Sequence, residues 1–202
     1  LRCLVGSEMC IRDSCKTMEK KQFGSLYINK RPVVPAGRQF DRYRETPVLE
    51  LGGTKPGKEI EWLTVGHLLI ATRVLIHSIS WEDLDQRGLI SGQEAVIDSK
   101  RYKVRTPSVK EWDEAAAMCV GHIQDLWYFQ DGWSWCIEES TLDNRLRYLC
   151  SGNNTHSPMT CSAKTRSKPF GWRPVLEPIS AGPNDCLLYT SDASDDTPCV
   201  DL

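Results

Sequence analysis

The stretch at residues 105–117 constrains the fold most, because every local signal in it marks the start of a helix. Pro107 blocks helix before it. Ser108 can cap the helix, and Glu111 three residues later completes a capping box. The pattern predicts an amphipathic helix that runs to about His122. Apolar residues recur on one face of this helix, at Val109, Trp112, Ala116 and Cys119.

A second, shorter helix is predicted after Ser80, with acidic residues in its first turn and Gly88 as its stop. Residues 15–24 and 151–168 show no periodicity and are predicted to be irregular. Two helices, several short strands and long aromatic-rich loops favour the α+β class. The predicted strands lie at residues 25–28, 47–51, 60–65, 94–98, 101–105, 145–149 and 170–177, with one or two more in 68–79.

Both ends of the chain resemble a translated transposon-type sequencing adapter. Residues 8–14 can be encoded by one strand of such an adapter, and residues 186–191 by the opposite strand. One DNA element read from both ends explains both flanks. We therefore expect residues 1–14 and 186–202 to be artefact, and residues 15–185 to form a single domain.

Charge and hydropathy exclude two classes of function. The chain has 25 basic and 27 acidic residues, a formal net charge of −2. The two flanks hold two arginines and six acidic residues, so the remaining chain carries about +2. Neither value indicates a nucleic-acid-binding protein. The longest apolar stretch, residues 65–79, is broken by His67, Arg73 and His77, so no membrane span is predicted.

The cysteines and histidines give no metal-binding spacing. There is no Cys-x-x-Cys motif, and the histidines are isolated from one another, so we expect no metal site. An odd and scattered set of cysteines favours free thiols in a reducing compartment, although a disulfide between Cys150 and Cys161 stays open. The cysteines between residues 15 and 185 are Cys15, Cys119, Cys136, Cys150 and Cys161.

Four segments resemble, in the same order, motifs of the formylglycine-generating enzyme (sulfatase-modifying factor) superfamily. They are Ser80–Asp83, the helix start at 105–116, Trp133–Trp135 and Gly171–Arg173. The resemblance covers about residues 80–176, and many bacterial and phage proteins share the closing segment. It implies an α+β domain of the C-type-lectin-like fold, with two main helices and short twisted antiparallel strands.

Enzymatic members of this superfamily oxidise a substrate cysteine, and the resemblance implies a reactive, copper-binding cysteine pair near the C-terminal end. Cys150 and Cys161 lie in that region, but their spacing differs from the close pair of the family and neither has a neighbouring histidine. We therefore expect no catalytic machinery and no cofactor. A divergent cysteine oxidase that uses Cys150 and Cys161 is the first alternative.

The leading hypothesis is a non-enzymatic module of bacterial or phage origin that binds a protein or carbohydrate ligand through loops displayed on a rigid core. A structural subunit of a phage or cell-surface assembly is the second alternative. We expect a cytoplasmic or virion-associated location rather than secretion. Exposed aromatics and a polar loop supply the candidate ligand-binding residues, which are Trp127, Tyr128, Trp133, Asn153, Asn154 and His156.

Overall fold

The computed structural model describes residues 19–35, 47–119, 132–151 and 158–179. Of these residues, 46% lie in strands and 11% in helices. The expected α+β, C-type-lectin-like class with two main helices is therefore wrong. The described part of the chain is mostly β, with a curled antiparallel sheet and two short helices.

The largest sheet has six strands, and each is antiparallel to its neighbours. Its strands are β1 (Lys20–Phe23), β5 (Ile60–Val65), β6 (Leu68–Ala71), β8 (Gln93–Ile97), β9 (Lys100–Arg105) and β14 (Val175–Pro178). Their order across the sheet is β1-β5-β6-β14-β9-β8. The sheet is curled, so that β1 at one edge of the sheet comes close to β9 near the opposite edge. The rings of Phe23 in β1 and Tyr102 in β9 lie 5.9 Å apart.

A second sheet has five strands, namely β7 (Ile76–His77), β10 (Trp133–Glu139), β11 (Leu146–Cys150), β12 (Met159–Ser162) and β13 (Phe170–Trp172). Their order is β12-β11-β10-β13-β7, and only the pair β10–β13 is parallel among these neighbours. A third sheet, in the order β3-β2-β4, consists of β2 (Ser25–Ile28), β3 (Arg31–Val33) and β4 (Leu49–Gly52).

Both helices begin with the predicted serine caps. Helix α1 (Trp81–Asp85) follows Ser80, and helix α2 (Val109–Met118) follows Ser108. At α2 the Ser108 hydroxyl accepts from the Glu111 backbone N–H at 3.1 Å, and the Ser108 N–H donates to the Glu111 carboxylate at 2.8 Å. The predicted capping box is confirmed. Helix α2 ends before the predicted limit near His122, which lies outside the described residues.

The six-stranded sheet is buried on both faces at its centre. Successive residues of β5, β6 and β14 alternate between two apolar clusters; Leu63 belongs to one and Trp62 to the other. Helix α2 covers the smaller cluster with Trp112 and neighbouring alanines. The larger cluster lies between this sheet and the five-stranded sheet, where Trp135 and Trp172 are buried. Strands of a sheet that is covered on both faces are apolar at successive positions, instead of alternating between apolar and polar residues.

Tryptophan side chains join the sheets and helices through buried hydrogen bonds. Trp135 Nε1 donates to the carbonyl oxygen of Ile79 at 2.8 Å, just before α1. Trp81 Nε1, in α1, donates back to the carbonyl oxygen of Cys136 in β10 at 3.0 Å. These reciprocal bonds fix α1 against the five-stranded sheet and satisfy polar atoms that would otherwise be costly to bury.

The closing segment at Gly171–Arg173 is packed too tightly for other residues. A Cβ at Gly171 would overlap Val74 Cγ1 and the carbonyl oxygen of Ile76. The Arg173 guanidinium is fully buried, lies over the Trp112 ring at 4.9 Å and donates to the Thr72 carbonyl at 2.8 Å. The segment therefore holds the two sheets and α2 together.

Candidate functional site

Most of the loop residues predicted to bind ligand lie outside the described residues. Only Trp133 falls within them, at the start of β10. It is half-buried, packs against the larger apolar cluster and pairs its backbone N–H with the Pro169 carbonyl at 2.7 Å. The residues outside the described ranges are Trp127, Tyr128, Asn153, Asn154 and His156.

The structure does not bring Cys150 and Cys161 together. In the β11–β12 pair, Cys161 lies opposite Arg147, whereas Cys150 lies three positions further along β11. An odd offset along a strand places side chains on opposite faces of the sheet. Cys150 accordingly belongs to the smaller apolar cluster, and Cys161 packs against the larger one. The thiol that contacts Cys150 is that of Cys136, with 3.2 Å between the sulfurs.

The pocket that we call the sheet-end pocket opens at one end of the six-stranded sheet and has a volume of about 800 Å³. It lies on the inner side of the curl, between β1 and the hairpins β5–β6 and β8–β9. Ligand sites occur preferentially in such barrel-like mouths, where strands converge around a concave surface. The pocket has residues from both edges of the sheet, so it forms only because the curl brings the two edges close together.

The floor of the sheet-end pocket is apolar and aromatic. Phe23 packs between Trp62, at a ring distance of 5.8 Å, and Tyr102, at 5.9 Å. Leu69 and Ile97 complete the floor from β6 and β8. Phe23 is half-buried, so its ring is still partly exposed to the pocket, whereas Tyr102 is 6% exposed. A planar apolar group could pack on this floor.

The rim of the sheet-end pocket is polar and mostly basic. Lys21 from β1 and Lys100 from β9 line it, as does His67 from the β5–β6 turn. Asp98 is the acidic group among the lining residues. Its carboxylate accepts hydrogen bonds from the backbone N–H of Thr54, at 2.8 Å, and from the Thr54 hydroxyl. The negative charge of Asp98 is therefore partly satisfied within the protein.

Thr54 and Asp98 together form a clasp that closes the curl. The Thr54 hydroxyl also accepts from the Gly24 N–H at 2.6 Å, so it links the end of β1 to the β8–β9 turn. Asp98 and Ser99 have positive φ angles of 48° and 64°, as tight two-residue hairpins require. The Thr54 hydroxyl and N–H hold the pKa of Asp98 below its usual value, which keeps the carboxylate ionised at neutral pH.

The phenol of Tyr102 is protonated at neutral pH. Burial raises its pKa above the usual value, and the nearby charge of Asp98 adds to the shift. Tyr102 can therefore donate a hydrogen bond within the pocket but is not suited to act as a base. Cys150 and Cys161 are not among the residues that line the pocket.

Sequence reasoning missed this pocket. Its lining runs from Lys21 to Pro178, and residues 15–24 were expected to be irregular rather than to include β1. No short motif could have indicated it, since the site exists only after the sheet curls. The one available signal was the aromatic residue Phe23 directly before Gly24, whose φ of 67° marks a sharp turn.

Metal-binding clusters, membrane-spanning helices and similarity to known proteins add few constraints on function. Within the ranges that the structure describes, no group of three or more histidine, cysteine or acidic side chains is placed to hold a metal ion. The helices described there are too short or too polar to cross a bilayer. The chain has no detectable match among protein-family models, curated proteins or solved structures.

Proposed function

We propose that this chain is a non-enzymatic binding module, and that it holds a small ligand with a planar apolar part and a negatively charged group. The observation that carries the proposal is the aromatic floor of Phe23 and Tyr102 beneath a rim that bears Lys21 and Lys100. Pockets that combine an apolar lining with a few well-placed polar groups are the usual form of ligand sites.

The floor supplies the affinity. Covering the accessible part of Phe23 and its apolar neighbours would contribute about 25 cal/mol for each Å² removed from water. Aromatic pairs add about 0.5–1.5 kcal/mol when rings pack edge-to-face or offset. A ligand with a flat ring system would gain both the burial of apolar surface and the packing of aromatic rings.

The rim supplies the selectivity for charge. Lys21 already lies 3.4 Å from the Glu19 carboxylate, with 42% of its side chain exposed, so its ammonium can turn towards a ligand at small cost. Lys100 is exposed, and Asp98 is engaged by Thr54. Among the lining residues the two lysines outnumber Asp98, and a ligand anion would compete with Glu19, outside the lining, for Lys21. Each exposed ion pair of this kind contributes about 0.2–1 kcal/mol.

The proposal is tested with two fluorescent probes that share one ring system. Anilinonaphthalene sulfonate carries a negative charge, and N-phenyl-1-naphthylamine is neutral. We expect saturable binding of both, with the anion bound more tightly. Changing Lys21→Gln or Lys100→Gln should weaken binding of the anion about two- to fivefold per lysine and leave the neutral probe unchanged. The measurement is a fluorescence titration at fixed ionic strength.

Lys110→Gln is the matched control, because Lys110 lies on α2 with 85% of its side chain exposed and outside the pocket. This variant should bind both probes like the unmodified chain. Circular dichroism of each variant checks that probe binding does not come from partial unfolding. Equal weakening of both probes in the two rim variants, or no saturable binding at all, would contradict the proposal.

The other hypotheses from the sequence stay predictions. A cysteine oxidase that uses Cys150 and Cys161 gains no support from their positions on opposite faces of the five-stranded sheet. Binding of a protein or carbohydrate through the loops around Trp133 is compatible with a separate small-molecule site. No observation on the described residues supports the hypothesis that the chain is a structural subunit of an assembly.

A further inference from the structure

Two buried thiols lie in contact at the centre of the five-stranded sheet. The sulfurs of Cys136 in β10 and Cys150 in β11 are 3.2 Å apart, with the Cys136 thiol donating to Cys150. Both residues are buried, 0% and 2% exposed, beneath Trp112 and Ala116 of α2. This contact belongs neither to the sheet-end pocket nor to any sequence motif.

A strand irregularity lies beside the contact. Trp135 lies opposite Leu149, but Glu139 lies opposite Arg147, so extra residues of β10 bulge out of the ladder between them. Cys136 stands at the start of this bulge. Bulges re-aim side chains relative to the regular pleat. Ser134 is the residue directly opposite Cys150, so Cys136, two residues further along β10, reaches Cys150 as a diagonal neighbour.

We propose that Cys136 and Cys150 form an intramolecular disulfide when the chain folds in the presence of a disulfide oxidant. A disulfide has its sulfurs about 2.05 Å apart, so the two atoms must approach by roughly 1 Å from their positions in the thiol form. The bond would join two adjacent antiparallel strands of the sheet.

The reaction balances with oxidised glutathione as the oxidant. One cysteine thiolate attacks the glutathione disulfide, which releases one glutathione thiol and leaves a mixed disulfide on the protein. The second cysteine then attacks the protein-bound sulfur and releases the second glutathione thiol. The two protein sulfurs lose two electrons and two protons in total, and the glutathione disulfide is reduced.

The bond must form before α2 closes over the pair. Burial raises the pKa of Cys136 well above its usual value, so the folded chain holds almost no reactive thiolate at this position. Burial also raises the pKa of Cys119, in the same cluster, to about 11. Cys161 faces the other side of the sheet. Cys136 therefore pairs with Cys150 because the two thiols are in contact, and not because either thiol is unusually reactive.

The test is oxidative refolding of the full chain. Trypsin leaves Cys119 and Cys136 in one peptide and Cys150 and Cys161 in another, so the experiment uses a Cys119→Ala/Cys161→Ala variant. The reduced, urea-unfolded variant is refolded in a mixture of oxidised and reduced glutathione and trapped with N-ethylmaleimide. We expect the two peptides to be joined, and reduction of the bond to lower Tm by about 5–10 °C.

A further change, Cys150→Ala in the same background, is the control. It should abolish the joined peptides and the response of Tm to reduction. If the refolded protein has the circular dichroism of the folded state while N-ethylmaleimide added in urea labels both Cys136 and Cys150, the proposal is overturned. It is overturned equally if either cysteine is joined to a different cysteine in the unmodified chain.

Discussion

Both helices begin with a capping box whose acidic residue pairs with an arginine, but the two arginines come from different parts of the chain. In each helix the acidic residue of the capping box accepts two hydrogen bonds from one arginine. Asp83 of α1 receives them from Arg166, at 2.6 and 2.7 Å. Glu111 of α2 receives them from Arg105, at 2.6 and 2.8 Å. Both are paired, charge-assisted contacts, which are stronger and more directional than single ones.

The difference lies in sequence distance. Arg105 is six residues from Glu111, so this pair forms as soon as β9 meets the first turn of α2. Arg166 is 83 residues from Asp83 and follows β12. A five-residue helix such as α1 is too short to be stable alone. The cap of α2 thus takes its arginine from the preceding strand, whereas the cap of α1 takes its arginine from a distant part of the chain.

The largest effect is expected for Asp83→Asn, which keeps the cap but removes the charge. Arg87 also donates to the backbone carbonyl of Asp83, so two arginines would face each other without a counter-charge. Because the Arg166 side chain is 34% exposed, we expect a loss of about 2–3 kcal/mol, less than for a fully buried pair. Urea unfolding followed by tryptophan fluorescence measures it.

Asp85→Asn is the control for this change, since Asp85 is an exposed acid on the same helix. It should change the free energy of unfolding by less than about 0.5 kcal/mol. A cost for Asp83→Asn no larger than that of Asp85→Asn would show that the long-range pair contributes nothing.

A smaller loss, about 1–2 kcal/mol at pH 7, is expected for Glu111→Gln. Arg105 keeps the Thr106 carbonyl at 3.2 Å and the Glu177 carboxylate at 3.5 Å, so it is not left without acceptors. Burial acts to raise the pKa of Glu111, but the hydrogen bonds from Arg105 and Ser108 outweigh it, and the folded pKa lies below the usual 4.5.

The sign of the pH dependence follows from that lowered pKa. The ionised carboxylate of Glu111 stabilises the fold fully above pH 4.5, and this contribution is lost as the pH falls through the folded pKa. The difference in stability between the unmodified chain and Glu111→Gln should therefore shrink towards zero in acid. Glu114→Gln, an exposed change on the same helix, should show no such trend; a pH-independent difference would refute the assignment.

The smallest effects are expected for removal of the caps themselves. Ser80→Ala should cost about 1–1.5 kcal/mol and Ser108→Ala about 0.5–1 kcal/mol. The order follows from burial: Ser80 is 3% exposed, so the Asp83 N–H that loses its partner cannot reach water as readily. Thermal unfolding of both variants beside Ser91→Ala, an exposed serine outside the helices, gives the comparison. The reverse order would contradict this account of the two helix starts.

Local signals in the sequence were sufficient for some elements and not for the fold class. The caps, the strand Ile60–Val65 and the burial of Trp112 follow from neighbouring residues, and all three predictions are confirmed. The strands β1, β3, β10 and β12 were missed. Three of them, β1, β3 and β12, are short edge strands, which natural sheets often keep polar. The fourth, β10, lies at the centre of the five-stranded sheet, in an aromatic-rich segment that was expected to be loop. Without these strands the predicted share of β-structure was too low, and the chain was assigned to the α+β class.

The candidate sites depend on features that no local pattern encodes. The sheet-end pocket needs the curl that the clasp of Thr54 and Asp98 closes. The contact between Cys136 and Cys150 lies beside a bulge, and the sequence suggested the pair Cys150 and Cys161 instead. A bulge of one or two residues changes which side chains meet, and its position is set by packing rather than by residue type.

The position of the last two strands has a consequence for synthesis of the chain. Strand β13 lies between β10 and β7, and β14 lies between β6 and β9. Until residues 170–178 have left the ribosome, neither large sheet can be continuous, and four strands present unpaired inner edges. Pairs such as β5–β6 and β8–β9 can form earlier, but the two large sheets are completed only when residues 170–178 have been translated. The nascent chain therefore depends on residues 170–178, and on protection of those edges before they emerge, to escape association with other chains.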